Sequence, residues 1–300
     1  MKVAQIWRYP VKSMAGEQID HARIGPLGIE GDRVVHVENE DSHIITSRSH
    51  HRLLGHHATL NESGEPVVDG LLWSNPKVRT DVEDIVGPGA KLVRDDSSDR
   101  FDVLPLLVAT DGAIAAFGRD GRRLRPNLVI GGVEGLAERS WSGQCLHIGD
   151  VIIGIQDLRG RCIMTTFDPD TLKQDRQVLT DIVRRFDGTL ALNCFVIRGG
   201  DIRVGDTVEL ARHRECEALM RRETNVLPSL VWELLAFTHY NAARHRGRNH
   251  HGQISEGHIG RNVGHFEAGS NDRRSEDLLC GFGRDTGRQP ATRRGQTGLY

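Results

Sequence analysis

The sequence is short of most features that mark the commoner function classes. It lacks an excess of either charge: 39 basic residues stand against 41 acidic ones, a formal charge of −2. Proteins whose affinity comes from neutralising nucleic-acid phosphates are thereby excluded, and any anion site must be local. It has no apolar run of bilayer-spanning length, and its start, MKVAQIWRYPVKS, has no signal-peptide core. Both absences predict a cytoplasmic protein with no membrane partner. Five scattered cysteines (Cys145, Cys162, Cys194, Cys216 and Cys280) include no CxxC pair, so neither a disulfide framework nor an iron–sulfur cluster is expected. No GxGxxG or Walker loop is present to cradle a nucleotide.

What is there is a chain of 300 residues, 38% hydrophobic, enough to fill two cores. Short β-like runs separated by Gly, Pro and Asn turns open it: VAQIW (3–7), RVVHVE (33–38), HIITS (43–47) and PVVDGLLW (66–73). They predict a small antiparallel β domain over residues 1–90, ending in a linking loop around 84–100. Strand patterns return over 91–211 at DVLPLLVAT, NLVIGG, LHIGDVIIGIQDL, LALNCFVIRG and IRVGDTVEL. The Gly149-Asp150 and Gly205-Asp206 steps read as turns into strands. A short helix face at 113, 114 and 117 interrupts them, as does a longer one over 174–187 presenting Val178, Leu179, Ile182, Val183 and Phe186. The fold class is therefore mainly β with a few helices, in two barrel-like domains. Residues 212–300 form a C-terminal extension: 214–243 is helical in pattern, then an Arg/His-rich, lysine-free stretch reads as disordered.

Three constellations carry possible chemistry. In Arg161-Cys162-Ile163-Met164-Thr165-Thr166-Phe167-Asp168-Pro169-Asp170, a thiol beside a guanidinium and hydroxyls has surroundings that favour the thiolate a soft metal needs, although a buried structural cysteine fits the same string. Arg122-Arg123-Leu124-Arg125-Pro126-Asn127 sets three guanidiniums before a strand, suited to gripping a phosphate or planar heterocycle and equally to a solvated loop. Lys12-Ser13, Asp32-Arg33 and Thr46-Ser47-Arg48 contain the residue types that bind a phosphate monoester. The histidines at 50, 51, 56 and 57 match no zinc spacing and read as a surface turn.

Taken in order, YPVKS, the DR step, ITSR, RPN before a strand, RCxMTTxDPDT and GGxIRVGDxVEL resemble the MOSC superfamily over residues 1–211, in particular proteins like the amidoxime-reducing components. The resemblance implies an N-terminal β-barrel domain packed on a MOSC domain, with a mononuclear molybdenum–molybdopterin cofactor between them. It implies that Cys162 ligates the metal and that Lys12, Ser13 and Arg33 hold the terminal phosphate. It places Thr110, Arg125, Asn127, Arg161 and Thr165 about the pterin and the metal pocket. The implied reaction is reduction of an N–O bond in small N-hydroxylated substrates, with electrons from a separate ferredoxin- or flavoprotein-like donor, because no iron–sulfur pattern follows residue 211. Asp168, close to the ligand, is a candidate proton carrier.

Two departures bear on the pocket. Leu172 stands where many relatives have glycine, and Leu192-Asn193-Cys194 replaces a glycine-aromatic pair. Two other readings compete with the reductase: a carrier or sulfur-transfer protein using the same cysteine without turnover, and a β-barrel binding protein without metal.

Overall fold

A computed structural model of the chain describes residues 1–211 with Glu215 and Cys216, all within one compact unit. The expected helix over 214–243 and the tail beyond it lie outside the described residues, apart from those two positions. The first part runs β1 (Lys2–Arg8), β2 (Glu17–Ile19), β3 (His21–Gly25), β4 (Gly28–Ile29), β5 (Val35–Glu38), β6 (Ile44–Ile45), β7 (Ala58–Leu60), β8 (Pro66–Val68), β9 (Leu71–Leu72), α1 (Pro76–Val86) and β10 (Lys91–Arg94). The second part adds β11 (Leu106–Thr110), α2 (Asp111–Phe117), β12 (Leu128–Gly131), β13 (Cys145–Ile148), β14 (Val151–Gly160), α3 (Gln177–Phe186), β15 (Thr189–Arg198), β16 (Gly200–Arg203) and β17 (Glu209–Ala211).

The protein is mainly β with few helices, as its alternating patterns predict. Eight strands form the principal sheet in the order β17-β13-β14-β15-β11-β12-β1-β2. Its one parallel pair, β11 with β12, needs a crossover connection, which α2 supplies. Gly149-Asp150 is a two-residue hairpin turn closing Ile148 onto Val151, with Gly149 at φ 58°.

The expected local antiparallel sheet in the first part holds only for some strands. β5 pairs with β10 and β6, and β7, β8 and β9 pair in series. In contrast, β1 pairs with β12 and β3 with β16, so the start of the chain is built into its later sheet. Hydrophobic burial follows the pairing: Val3, Ile6, Ile24 and Ile29 share a core with Leu128, Ile130, Leu146 and Ile153. A separate core gathers Val11, Met14, Val35, Val37, Leu53, Val78 and Val82.

The linking loop predicted over 84–100 is interrupted: α1 runs into it as far as Val86, and β10 takes up Lys91–Arg94. Asn75 caps the helix by accepting from the Lys77 N–H at 2.9 Å, and Pro76 fits the first turn, where its missing N–H costs nothing. Helix α3 begins three residues later than its pattern predicts; it buries Val178, Ile182 and Phe186 but leaves Val183 57% exposed. The cysteine expectation also needs correction. Cys145 and Cys216 form a disulfide that ties β13 to the segment just past β17, packed against Ile152, Phe195 and Ile197.

Candidate cofactor site

The widely separated basic motifs meet in one pocket. Lys12, Ser13, Arg33, Arg125, Asn127, Arg161 and Cys162 all line it, joined by Thr46, Arg48, Arg123, Arg159 and Asn193. Seven of its lining side chains are cationic and one, Asp102, is a carboxylate. Low-dielectric walls around such an excess concentrate positive potential and favour a multiply charged anion.

The floor is fixed by backbone. Ser13, Arg33 and Arg125 have φ of 73°, 56° and 54°. This left-handed conformation is costly for residues with a Cβ and persists where surrounding structure over-determines it. Here the constraint is visible. Asp32, fully buried, accepts from the Tyr9 N–H at 2.8 Å and pairs with the Arg33 guanidinium, while the Arg33 N–H donates to the Tyr9 carbonyl at 2.8 Å. The Asn127 side chain accepts from Leu107 N–H at 3.1 Å and from Arg33 Nη1 at 3.4 Å, and donates to the Trp7 carbonyl at 3.3 Å. Asn127 thus braces β1, β11 and Arg33 together.

Tyr9 forms a hub beneath the cations. Arg125 stacks over its ring at 4.3 Å and Arg33 lies at 5.3 Å, within reach of cation–π attraction. Burial pushes the Tyr9 hydroxyl up to about 12, so it stays neutral and donates to the Pro126 carbonyl at 3.2 Å. Burial also pushes Arg125 and Arg161 down to about 10, which leaves both charged at neutral pH and poorly hydrated. The Arg161 guanidinium donates to the Leu124 carbonyl at 2.7 Å, while its Nε is buried without a partner. A buried unpaired donor is costly, and it marks where an acceptor is wanted.

Cys162 follows β14 as a free, partly exposed thiol at the start of a 3₁₀ turn, Ile163–Thr166. Thr165 is fully buried, and its backbone N–H and hydroxyl both donate to the Cys162 carbonyl, at 3.1 and 2.8 Å. Thr165 therefore holds the cysteine backbone from outside the pocket lining. Cys194 is the opposite case: fully buried in β15, with its thiol pushed well up by burial. Only Cys162, of these two free thiols, faces a pocket.

Besides Thr165, two predicted residues lie outside the lining. Thr110 caps α2, accepting from Ala113 N–H at 3.1 Å and donating to buried Glu138 at 3.3 Å, so its hydroxyl is spent away from the pocket. Asp168 also falls outside the lining. Thr171 donates to it from both N–H and hydroxyl, Asp170 N–H adds a third bond, and Arg123 pairs with it at 2.8 Å. Those bonds, Thr171's first, hold its carboxyl below the ordinary range. Asp168 thus shapes the Cys162 loop from outside the pocket lining, its carboxylate held by four contacts.

Sequence reading missed Arg159 and Asp102. Arg159 lies in β14 just past the Leu158 end of the strand pattern, and Asp102 read as the start of a strand. A second cleft adjoins the first and shares Arg123, Arg125 and Met164 with it; Trp7, Tyr9 and Phe167 supply its aromatic walls. Leu172 sits beside this cleft at φ 58°, which explains why glycine suits the position. Its side chain occupies the space over Gly55, where a Cβ would approach Leu172 Cδ1 to 2.9 Å.

Fold and site together define a MOSC protein. Residues 1–87 match the MOSC N-terminal beta barrel domain and residues 114–209 match the MOSC domain, so the chain belongs to the MOSC family, which is associated with the molybdenum cofactor. It is similar to mitochondrial amidoxime-reducing component 1 of Homo sapiens, at 26% identity over 69% of this chain and 82% of that one. It is also similar to mitochondrial amidoxime reducing component 2 of Macaca fascicularis, at 25% identity over 61% and 72%. Among solved structures, the YuaD protein of Bacillus subtilis aligns at 13% identity and a TM-score of 0.40 over 70% of this chain and 94% of that one. No helix among the described residues is long and apolar enough to cross a membrane.

Proposed function

We propose that the protein binds a molybdenum–molybdopterin cofactor and reduces N–O bonds in small N-hydroxylated compounds such as amidoximes and hydroxylamines. The observation that carries this reading is the convergence of Cys162 with Lys12, Ser13 and Arg33 on a single pocket. The donor set fits such a group: a thiol for a soft metal, a cation excess for a phosphate, and the unpartnered Arg161 Nε for an acceptor on the heterocycle. Lys12, Ser13 and Arg33 would take the phosphate, Arg125 and Arg161 the pterin, and Cys162 the metal. Residues 1–90 would then supply the phosphate grip and 91–211 the pterin and metal side.

The bound cofactor supplies the two-electron exchange. The overall change consumes two electrons and two protons, breaks the N–O bond, leaves an N–H and releases water. A separate ferredoxin- or flavoprotein-like donor delivers the electrons. The protein's own part is to hold the cofactor's charge, fix Cys162 through Thr165, and keep Arg161 charged beside it. Similarity to proteins named as amidoxime-reducing components supports the choice of substrate class.

Metal analysis of wild type and Cys162→Ser, expressed in a host that makes the cofactor, tests the reading. Wild type carries molybdenum and pterin; Cys162→Ser loses at least nine-tenths of the metal (a loss of about 1.4 kcal/mol or more in binding) while its circular dichroism is unchanged. Equal molybdenum in both proteins would remove the ligand assignment. Loaded wild type that never oxidises a reduced donor in the presence of benzamidoxime or hydroxylamine would remove the reductase.

A further inference from the structure

Asp102 lies in the loop between β10 and β11 and is the pocket's single lining carboxylate. It binds Lys12 at 2.9 Å and Arg48 at 2.7 Å, and Arg159 stands 3.9 Å away. Lys12 Nζ also donates to the Arg100 carbonyl at 3.0 Å. The ammonium assigned to the phosphate is therefore already held by two oxygens of this one loop. Burial works to raise the Asp102 carboxyl, but hydrogen bonding and attraction from Lys12, with Arg48 and Arg159 behind it, outweigh burial and hold it below the ordinary range.

We propose that Asp102 is an internal competitor for the phosphate grip: a positioning residue that keeps Lys12, Arg48 and Arg159 gathered and must yield Lys12 when a phosphate group enters. This rests on the phosphate-grip reading of Lys12, Ser13 and Arg33 given above. The physical reason lies in charge balance. Without Asp102, the seven cations of the lining repel one another in a partly desolvated space. With it, they are held in place, but an incoming anion meets a fixed negative charge and a lysine already engaged. The two effects act on different measurements: the carboxylate stabilises the anion-free fold and weakens anion binding. A carboxylate that merely braced the loop would do the first and leave anion binding unchanged or stronger.

The test uses cofactor-free full-length protein, with inorganic phosphate as the probe and chloride at equal ionic strength as the control. Melting temperature is followed against phosphate for wild type, Asp102→Asn and Asp102→Glu. Asp102→Asn melts lower than wild type without phosphate and reaches its half-maximal rise at a phosphate concentration about tenfold lower. Asp102→Glu, which keeps the charge, stays close to wild type in both respects. Asp102→Asn binding phosphate equally or more weakly, or Asp102→Glu binding as tightly as Asp102→Asn, overturns the inference and leaves the grip standing. Phosphate protecting none of the three proteins overturns the grip as well. If Asp102→Asn fails to fold, Asp102→Ser takes its place: half-maximal protection at a lower phosphate concentration than wild type agrees with competition, and protection at an equal or higher concentration overturns it.

Discussion

The principal core and the pocket are built from neighbouring stretches of the same strands under opposite rules. Along β12, Leu128 and Ile130 are buried against aliphatic neighbours, with no charge to satisfy. Just before that strand, Arg125 stands in left-handed backbone over an aromatic ring, and Asn127 spends its amide on three separate segments. Along β14 the same division recurs: Val151, Ile152 and Ile153 are buried, while Arg159 at the far end faces the pocket. A strand that enters as core and leaves as binding wall gives the cations a rigid base, so the pocket inherits its precision from packing it does not itself provide.

That contrast can be broken or sharpened at three sites. The largest effect is expected in the core. Ile130→Ala removes a fully buried side chain and should cost about 2–5 kcal/mol in chemical denaturation, because the cavity cannot fully collapse. Lys12→Ala should cost less in the same assay, because its partner Asp102 is partly exposed and keeps Arg48, yet weaken phosphate protection. A Lys12→Ala variant as destabilised as Ile130→Ala would erase the distinction between the two regions. Next comes the disulfide. Cys145 and Cys216 are 71 residues apart, and Cys145→Ser with Cys216→Ser should lower stability by about 2–4 kcal/mol, since the bridge restricts the unfolded chain. Molybdenum content per folded molecule should not change; a fall would show that the bridge acts on the site. The smallest effect concerns backbone strain. Asp187 ends α3 at φ 53°, outside the pocket lining, and Asp187→Gly should raise stability by about 0.5 kcal/mol. Arg125→Gly relieves the same conformation inside the pocket and should lose pterin. If Asp187→Gly were destabilising, left-handed backbone would not be the common cost at these positions.

Much of this was legible in the chain. Period-two runs located most strands but not β2, β3, β4, β7 or β10, the Gly149-Asp150 step located a hairpin, and the residues of the separate motifs, Lys12, Ser13, Arg33, Arg125, Asn127, Arg161 and Cys162, meet in one pocket. What stayed hidden was non-local. Pairing of Val3 with Ile130 and of Ala22 with Ile202 leaves no mark in local periodicity, and neither does the pairing of Cys145 with Cys216. Helix α1 was visible in principle through Asn75-Pro76 and the spacing of Val78, Val82 and Ile85, but the Gly-Pro-Gly that follows at 87–89 made the region read as loop. Asp102 and Arg159 escaped because a charged residue at a strand end looks like any solvated one until its neighbours are known.

The pairing of β1 with β12 and β3 with β16 also sets an order of events during synthesis. Val3 and Ala22 leave the ribosome early, yet their partners Ile130 and Ile202 arrive only when most of the described chain has been made. The first strands therefore wait with open edges, exposed to wrong partners and to chaperones. Lys12 and Arg33 cannot stand opposite Cys162 until that closure is made, so the pocket is completed only late on the newborn chain.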